Sequence, residues 1–530
     1  MPLKRKCGIL CHPTCMPGPF GIGEMGQAAR DLVDFLVQAG QSIWQILPLG
    51  PTGYGDSPYQ PFSAFAGNPL LISPDLLPAD GLLDEADLAL GTPFPADRVL
   101  YGPAIALKDR MLRRSYRHYR ARASAALRAQ LADFQEENHA WLDDYTLFMA
   151  LKLHFGWAVW ADWPADIALR EPGALVHWRE ALRQEVDYQC YLQFLFMRQW
   201  ADVKRYANEA GISIMGDVPI FMGHDSADVW SHRELFQLDE RGLPTMVAGV
   251  PPDYFSSTGQ LWGNPHYRWG ALKETGYAWW IERLKGVFTR VDLVRLDHFR
   301  GFSGYWEVPA GEKTAINGRW VKGPGGDFFR VVQRALGTLP IIAEDLGVIS
   351  ADVVALREEL GLPGMKVLQF AFDSDALNPA LPHHYTHDCV VYTGTHDNDT
   401  TIGWYTSRDE AIKHRVRAYT GTDGRDIHWT LMRLAMNSVA DTAIVPLQDV
   451  LGLGSEARLN RPGNPDDNWT WRYRQEMLRD DLAEGLRQMA HASGRWLEPG
   501  EQFEESAPVV LEYEEPFPGQ APYPPGHHEA

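Results

Sequence analysis

The stretch Ile212-Ser213-Ile214-Met215-Gly216-Asp217-Val218-Pro219-Ile220-Phe221 is almost entirely apolar and carries one aspartate. Its apolar residues follow one another without the alternation typical of a half-exposed strand, which favours a parallel strand buried on both faces. Seven more segments, most of them with the same continuous apolar character, lie along the chain: Cys7–His12, Ser42–Pro48, Val291–Phe299, Pro340–Leu346, Met365–Phe372, Cys389–His396 and Thr442–Gln448. We therefore expect eight buried parallel strands.

Helical patterns lie between several of these segments. Residues Ala28–Ala39, for example, present an apolar stripe, and Gly40 follows them as a typical C-terminal cap. An alternation of strand and helix that repeats eight times predicts an α/β fold of the (β/α)8 barrel type.

The alternation is uneven, which predicts large insertions in the barrel. We expect a mainly helical insertion at about residues 75–205, after the second strand, and a loop-rich cap at about residues 222–290, after the third. Residues 1–500 would then form one catalytic barrel. After Arg495 there is no Lys or Arg, while acidic residues and prolines accumulate, so residues 501–530 are predicted to be a flexible acidic tail.

The charge balance argues against a polyanionic partner. The 530 residues include 49 basic and 69 acidic side chains, and the formal net charge of −20 repels nucleic acid. The most apolar short run, Tyr191–Met197, is far shorter than the roughly 20 residues that a membrane-spanning helix needs. The apolar stretch near the N-terminus breaks at His12-Pro13, too early for a signal peptide. We therefore expect a cytoplasmic protein with a neutral substrate and no membrane contact.

Two motifs resemble cofactor or metal sites but have the wrong spacing. Gly21–Gly26 matches the dinucleotide-binding pattern G-x-G-x-x-G, yet it does not form the tight turn directly after a strand that this pattern requires. Cys7, Cys11 and Cys15 are close in sequence, but no second pair of Cys or His ligands follows them. We therefore predict no cofactor and no metal.

Ionisable residues mark the ends of four predicted strands, where the reactive residues of a (β/α)8 barrel lie. They are Asp217, then Arg295 with Asp297, then Glu344 with Asp345, and His396 with Asp397. Arg295 and Asp297 are two residues apart and share a face, where the guanidinium favours the ionised form of the carboxylate. Glu344 and Asp345 are adjacent and point to opposite sides. Only one of them faces the pocket, and the spacing does not say which.

Two facing carboxyl groups, one ionised and one protonated, are the apparatus of glycoside chemistry. In a retaining enzyme one of them forms a covalent glycosyl intermediate, and the other acts first as an acid and then as a base. The chain also has 19 Trp and 20 Tyr residues, several of them in loops rich in Gly and Pro. Because the faces of sugars pack on aromatic rings, this composition agrees with a sugar substrate.

Several long motifs extend this interpretation: Leu47–Tyr59, Gly249–Phe255, Gln260–Pro265, Arg295–Gly301, Ala343–Gly347 and Gly394–Thr400. In these motifs the sequence resembles the amylomaltases, the 4-α-glucanotransferases of glycoside hydrolase family 77. The resemblance extends from His12 to about Arg472. It implies a (β/α)8 barrel without a separate C-terminal β-domain and without a metal.

The resemblance also implies roles for individual residues. Asp297 would be the nucleophile, Glu344 the general acid/base, and Asp397 a third acid that hydrogen-bonds to sugar hydroxyl groups. The residues that would bind substrate are Tyr59, Asp217, Arg295 and His396 next to the scissile bond, Tyr254, Phe255 and Trp262 in a loop over the cleft, and Tyr54 and Tyr101 at a second glucan site on the surface.

We therefore expect a monomeric, retaining 4-α-glucanotransferase that moves glucosyl or maltosyl units between maltodextrins. Maltooligosaccharides and α-1,4-glucans would be its donors and acceptors. An α-amylase-type hydrolase of α-1,4-glucans is the alternative, because it has the same order of acids but passes the sugar to water. A non-catalytic glucan-binding protein is less favoured, since it need not keep Asp297, Glu344 and Asp397.

Overall fold

The strands of the computed structural model form two sheets, one of eight strands and one of four. The structure describes residues 5–89, 93–252, 256–347, 349–464 and 466–496. In chain order the strands are β1 (Lys6–Leu10), β2 (Ile43–Gln45), β3 (Ser213–Pro219), β4 (Met246–Val250), β5 (Gln260–Pro265), β6 (Leu293–Asp297), β7 (Gly304–Pro309), β8 (Arg319–Lys322), β9 (Ile341–Ala343), β10 (Gly364–Val367), β11 (Cys389–Tyr392) and β12 (Thr442–Pro446).

The eight-stranded sheet is a parallel barrel. Its hydrogen-bonded order is β10-β11-β12-β1-β2-β3-β6-β9, and every neighbouring pair is parallel. The two ends of this order meet where the amide of Ala343 donates to the carbonyl of Pro363 at 2.9 Å. Each of the eight predicted segments overlaps one of these strands, so the predicted (β/α)8 barrel is confirmed.

Close packing between the first two strands explains the small residue in β1. A Cβ atom at Gly8 would lie 2.3 Å from the carbonyl oxygen of Ile43 in β2, so only glycine fits there. The neighbouring side chains of Ile9, Ile43 and Ile444 are almost completely buried. Each buried aliphatic side chain of this size contributes about 1.5–3 kcal/mol to folding.

The helices lie outside the barrel and in the insertion between β2 and β3. They are α1 (Gln27–Gln38), α2 (Tyr101–Arg122), α3 (Ala125–His154), α4 (Ala165–Ala168), α5 (Pro172–Ala181), α6 (Arg183–Glu209), α7 (Ala227–Ser231), α8 (Trp269–Glu274), α9 (Ala278–Arg290), α10 (Arg300–Ser303), α11 (Gly325–Leu336), α12 (Ala351–Glu359), α13 (Thr401–Ser407), α14 (Glu410–Thr420), α15 (Ile427–Asn437), α16 (Leu447–Val450) and α17 (Asp480–Ala492). Helices α2 to α6 belong to the insertion after β2, of which α6 leads into β3.

The four-stranded sheet is an antiparallel cap with the order β5-β4-β7-β8. Strands β4 and β5 lie in the segment after β3 that the sequence predicts to be loop-rich, whereas β7 and β8 follow β6. Two separate insertions therefore meet where β4 pairs with β7. The two strands β4 and β5 approach closely at Gly249, where a Cβ would lie 2.4 Å from the carbonyl oxygen of Gln260. Because glycine lowers the strand propensity of a segment, the sequence pattern does not predict this sheet.

Two sequence predictions fall outside the described residues. They concern the acidic tail at residues 501–530 and the aromatic pair Tyr254 and Phe255. Within the described ranges, no helix is both long enough and apolar enough to cross a membrane. The cytoplasmic location stays a prediction.

A buried ion pair ties the N-terminal region to the insertion. The ammonium of Lys108 on α2 contacts the carboxylate of Glu24, and it donates to the carbonyl of Ile72 at 2.6 Å. Burial raises the pKa of Glu24 to about 7, and the charge of Lys108 opposes this rise. Removal of one partner would leave the other charge buried without compensation.

We expect Lys108→Ala to lower the free energy of unfolding by about 3–5 kcal/mol, because Glu24 would lose its counter-charge. Equilibrium urea denaturation measures this change. The control is Lys273→Ala, because Lys273 and Asp327 form an exposed ion pair. The control should lose far less, because exposed ion pairs contribute little, and equal losses in both variants would contradict the importance of the buried pair.

Candidate active site

The end of β6 places an arginine between two carboxylates. In the parallel register of β3 and β6, Asp217 lies opposite Arg295, and Asp297 follows two residues later. Arg295 Nη1 is 2.7 Å from Asp217 Oδ2 and 2.9 Å from Asp297 Oδ1. Asp217 and Arg295 are buried, whereas the side chain of Asp297 is 28% exposed. Arg295 is therefore the counter-charge of both acids, and Asp297 is the acid that a ligand can reach.

Tyr59 connects this group to the end of β11. Its hydroxyl donates to Asp217 Oδ2 at 2.8 Å, and its ring stacks on that of His396 with the ring centres 5.0 Å apart. His396 Nε2 is 3.3 Å from Asp397 Oδ1. Burial lowers the pKa of His396, so its imidazole is neutral and can donate one proton to Asp397 from Nε2.

Glu344 and Asp345, which the spacing could not distinguish, have different surroundings. Glu344 Oε2 accepts the amide of His298 at 2.8 Å, and Oε1 accepts the amide of Leu346 at 2.9 Å. Asp345 lies 3.3 Å from Arg357 on α12, outside the barrel. Glu344 therefore belongs to the group around Asp297, and Asp345 points away from it.

Burial of this group raises the pKa values of its two carboxyl groups. Burial raises the pKa of Asp297 to about 8; Arg295 opposes this rise, whereas Asp217 and Glu344 add to it. Burial also raises the pKa of Glu344, against Arg295 and the two amide donors. As the sequence predicts, the charge of Arg295 favours the ionised form of Asp297, but burial has the larger effect on its pKa. Burial therefore raises the pKa of both carboxyl groups, and the charge of Arg295 opposes the rise in both.

Two residues of this site escape the sequence analysis. Asn460 Nδ2 donates to Asp397 Oδ1 at 2.5 Å, and the guanidinium of Arg458 donates to the backbone carbonyl of Asp397 at 2.7 Å. Both residues follow β12, so the rule that barrel sites form at the C-terminal ends of strands could have located them. Asn460 thus binds the carboxylate oxygen that His396 also approaches, and Arg458 holds the backbone of Asp397.

One group of potential metal ligands forms elsewhere among the described residues. Ligand atoms of Asp84, Asp87 and His118 lie within 4.8 Å of one another. Arg122 is 2.8 Å from Asp84 and 2.7 Å from His118 Nδ1, and Arg114 is 2.6 Å from Asp87. Arginine side chains thus already neutralise these acids, and the group shares no residue with the site around Asp297.

The sequence matches the family model of the 4-alpha-glucanotransferases, glycoside hydrolase family 77, over residues 11–478. The chain belongs to this family. The protein is 53% identical to the 4-alpha-glucanotransferase of Synechocystis sp. over 496 residues, which cover 93% of this chain and 98% of that relative. It is 52% identical to the 4-alpha-glucanotransferase of Thermus thermophilus over 504 residues, which cover 93% and 100%.

A solved structure with the same fold is that of the amylomaltase from Streptococcus agalactiae in complex with acarbose. Its TM-score is 0.90 at 38% sequence identity, and the match covers 93% of this chain and 100% of that chain. The protein is thus an enzyme with 4-alpha-glucanotransferase activity on an α/β barrel.

The structure places the other predicted binding residues of this glucanotransferase in different surroundings. The ring of Trp262 on β5 meets the ring of His298 edge-on, with the ring centres 4.8 Å apart. His298 directly follows Asp297 in sequence. Tyr101 begins α2, and its hydroxyl donates to the carbonyl of Trp469 at 2.9 Å. Tyr54 begins the short helix Tyr54–Asp56, but its side chain is not among those that the structure describes.

The partner of Tyr101, Trp469, also contacts the residues around Asp217 and Asp397. The ring of Trp469 is 6.1 Å from that of Tyr59 and 6.0 Å from that of His396. Trp469 has a φ of 61°, a left-handed conformation that is uncommon for a large side chain. Tyr101 therefore braces the loop that packs Trp469 against the aromatic pair beside Asp217 and Asp397.

We expect Asp297→Asn to be more stable than the unmodified enzyme at pH 8, by at least about 1 kcal/mol. Because burial raises the pKa of Asp297 from 3.8 to about 8, the folded protein binds a proton more tightly than the unfolded chain does. Stability linked to this proton is complete at low pH and is lost as the pH rises through about 8.

Urea denaturation at pH 5, 6.5 and 8 tests this prediction, and the advantage of Asp297→Asn should shrink toward pH 5. The control is Asp481→Asn on α17, which replaces an exposed carboxylate. An Asp297→Asn protein with the same pH dependence as the unmodified enzyme would contradict the raised pKa.

Proposed function

We propose that the enzyme is a retaining 4-α-glucanotransferase, which moves glucosyl or maltosyl units between α-1,4-linked maltodextrins through a covalent intermediate on Asp297. The observation that carries this proposal is the placement of two carboxyl groups at one mouth of the barrel. Asp297 lies 2.9 Å from Arg295, and Glu344 accepts the amide of His298, the residue after Asp297. A retaining mechanism requires one ionised and one protonated carboxyl group, and we assign the ionised form to Asp297 beside Arg295 and the proton to Glu344. The S. agalactiae relative in complex with acarbose supports a carbohydrate ligand.

In the first half-reaction, the carboxylate of Asp297 attacks the anomeric carbon of the donor. The bond between that carbon and the glycosidic oxygen breaks, and Glu344 gives its proton to this oxygen. The shortened dextrin leaves with a free 4-hydroxyl group, and the transferred sugar remains as an ester of Asp297. Arg295 stays bound to Asp217, so a positive charge remains beside the reacting carboxyl group.

In the second half-reaction, the 4-hydroxyl group of an acceptor dextrin attacks the anomeric carbon. Glu344 removes the hydroxyl proton, and the ester bond to Asp297 breaks. Because each step inverts the anomeric carbon, the product keeps the α configuration. Both carboxyl groups return to their starting states.

Asp397 is proposed to bind hydroxyl groups of the donor sugar. Its Oδ1 accepts from Asn460, and His396 lies next to it, so its position is fixed before substrate arrives. Tyr59 and Asp217 would line the same subsite. A preorganised carboxylate of this kind contributes most when the ring distorts toward the oxocarbenium-like transition state.

The alternative is a hydrolase of the α-amylase type, in which water attacks the same intermediate. Water is present at about 55 M, whereas a well-positioned hydroxyl group can have an effective molarity of about 10⁵ M or more. The cap strand that carries Trp262 reaches His298, so an aromatic side chain is available at the mouth to hold an acceptor. We therefore favour transfer. The monomeric state stays a prediction.

We expect Glu344→Gln to lower turnover on maltotriose about 10²–10⁴-fold, because glutamine cannot exchange a proton. Asp297→Ala should lower turnover at least as strongly, since it removes the nucleophile. Steady-state glucose release measures both rates, and circular dichroism checks the fold. Glu358→Gln on α12, an exposed position, is the matched control. Retention of more than about a tenth of activity in Glu344→Gln would exclude Glu344 as the acid.

With pure maltotriose, we expect glucose and a ladder of longer maltodextrins. The number of reducing ends should stay nearly constant, because each transfer breaks one bond and makes one. Trp262→Ala should raise the hydrolysed fraction relative to the unmodified enzyme, since acceptor positioning weakens. Chromatography of the products and a reducing-end assay provide the two readouts. A steady rise of reducing ends without products longer than maltotriose would contradict the transferase assignment.

A further inference from the structure

The barrel has a seam between β9 and β10. The hydrogen-bonded order of the sheet begins at β10 and ends at β9, so these strands are its two edges. Among the described residues, two hydrogen bonds cross the seam near the catalytic mouth. The amide of Ala343 donates to the carbonyl of Pro363 at 2.9 Å, and the amide of Met365 donates to Asp345 Oδ1 at 2.7 Å. A side chain therefore replaces a backbone acceptor in the second bond.

The carboxylate of Asp345 lies in a narrow space between Gly364 and the guanidinium of Arg357. A Cβ at Gly364, the first residue of β10, would lie 2.4 Å from Asp345 Oδ2. Arg357 Nε is 3.3 Å from the same oxygen, and Arg357 also donates to the carbonyl of Leu362 at 3.0 Å. Gly364 leaves space for the carboxylate of Asp345, and the guanidinium of Arg357 holds it there, across the seam.

Glu344, the preceding residue, is held firmly on its other side. Its amide donates to the carbonyl of Leu296 at 3.1 Å, and its carbonyl accepts the amide of Phe299 at 3.2 Å. Its carboxylate accepts the amides of His298 and Leu346. The first three of these bonds lead to β6 and the residues after it, whereas Leu346 follows Asp345. The position of the Leu346 amide therefore depends on Asp345.

We propose that Asp345 is a positioning residue for Glu344, which acts by tying the end of β9 to β10 and so holding the Leu346 amide against the Glu344 carboxylate. This inference rests on the proposed function, in which Glu344 transfers the proton. Without the tie, only the bond from the amide of Ala343 to the carbonyl of Pro363 holds the end of β9 on the β10 side. A displacement of about 1 Å in a reacting group can cost about 100-fold in rate.

The chain offers a matched carboxylate at the opposite end of the barrel. Asp292 precedes β6, its Oδ2 accepts the amide of Ile214 in β3 at 2.8 Å, and its Oδ1 lies 3.3 Å from Lys204. Asp292 thus makes the same kind of tie, a strand amide plus a cation, but at the end of the barrel away from the acids. Its removal reports the structural effect of losing such a tie without any effect on Glu344.

The test compares two donors that differ in their need for an acid. Maltotriose requires protonation of the leaving oxygen, whereas fluoride leaves α-maltosyl fluoride with little assistance. For Asp345→Ala we expect transfer from maltotriose to fall about 100-fold, while first-turnover fluoride release stays within about fivefold. For Asp345→Asn, whose Oδ1 can still accept from Met365, both rates should stay within about fivefold. For Asp292→Ala, both rates should stay within about twofold.

Gly364→Ala provides a second route to the same result, because its methyl group would displace the Asp345 carboxylate without removing it. We expect it to slow maltotriose transfer far more than fluoride release. Equal slowing with both donors, or unchanged maltotriose transfer in Asp345→Ala, would overturn the positioning role. Glu344→Gln is measured in parallel: if it stays active on maltotriose, the proposed function fails, whatever Asp345 does.

Discussion

The site depends on one buried guanidinium that serves two carboxylates. Arg295 contacts Asp217 and Asp297, and without it the burial of these acids would be strongly unfavourable. Burial raises the pKa of both Asp297 and Glu344, and the charge of Arg295 opposes this rise. In the proposed mechanism, this opposition between burial and charge allows one carboxyl group to be ionised while the other is protonated.

The barrel itself could be predicted from the sequence because its strands are buried on both faces. Strands in that position need apolar residues throughout, and such runs are visible without knowledge of their partners. The cap sheet was not predicted, since β4 finds its partner β7 beyond β6 in sequence. Its pairing depends on close backbone approach at Gly249, which a sequence pattern does not reveal.

The acids of the site could be located from the sequence because each one ends a predicted strand. The choice between Glu344 and Asp345 could not be made, since it depends on Arg357 and on the neighbouring strand β10. Asn460 escaped because it reaches Asp397 from 63 residues further along the chain. The protonation of the site escaped too, because it depends on three-dimensional burial and not on spacing.

The pairing of β1 with β12 has a consequence for how the active site comes into being. Lys6 lies beside Thr442, so the ring of strands can close only after nearly the whole barrel has been synthesised. Contacts over such a distance along the chain form slowly, and until they form, β1 and β11 expose unpaired edges. Arg458 and Asn460, which hold Asp397, follow β12 in sequence. A chain that has not yet placed β12 therefore lacks these contacts, and its two unpaired edges are open to pairing with another chain.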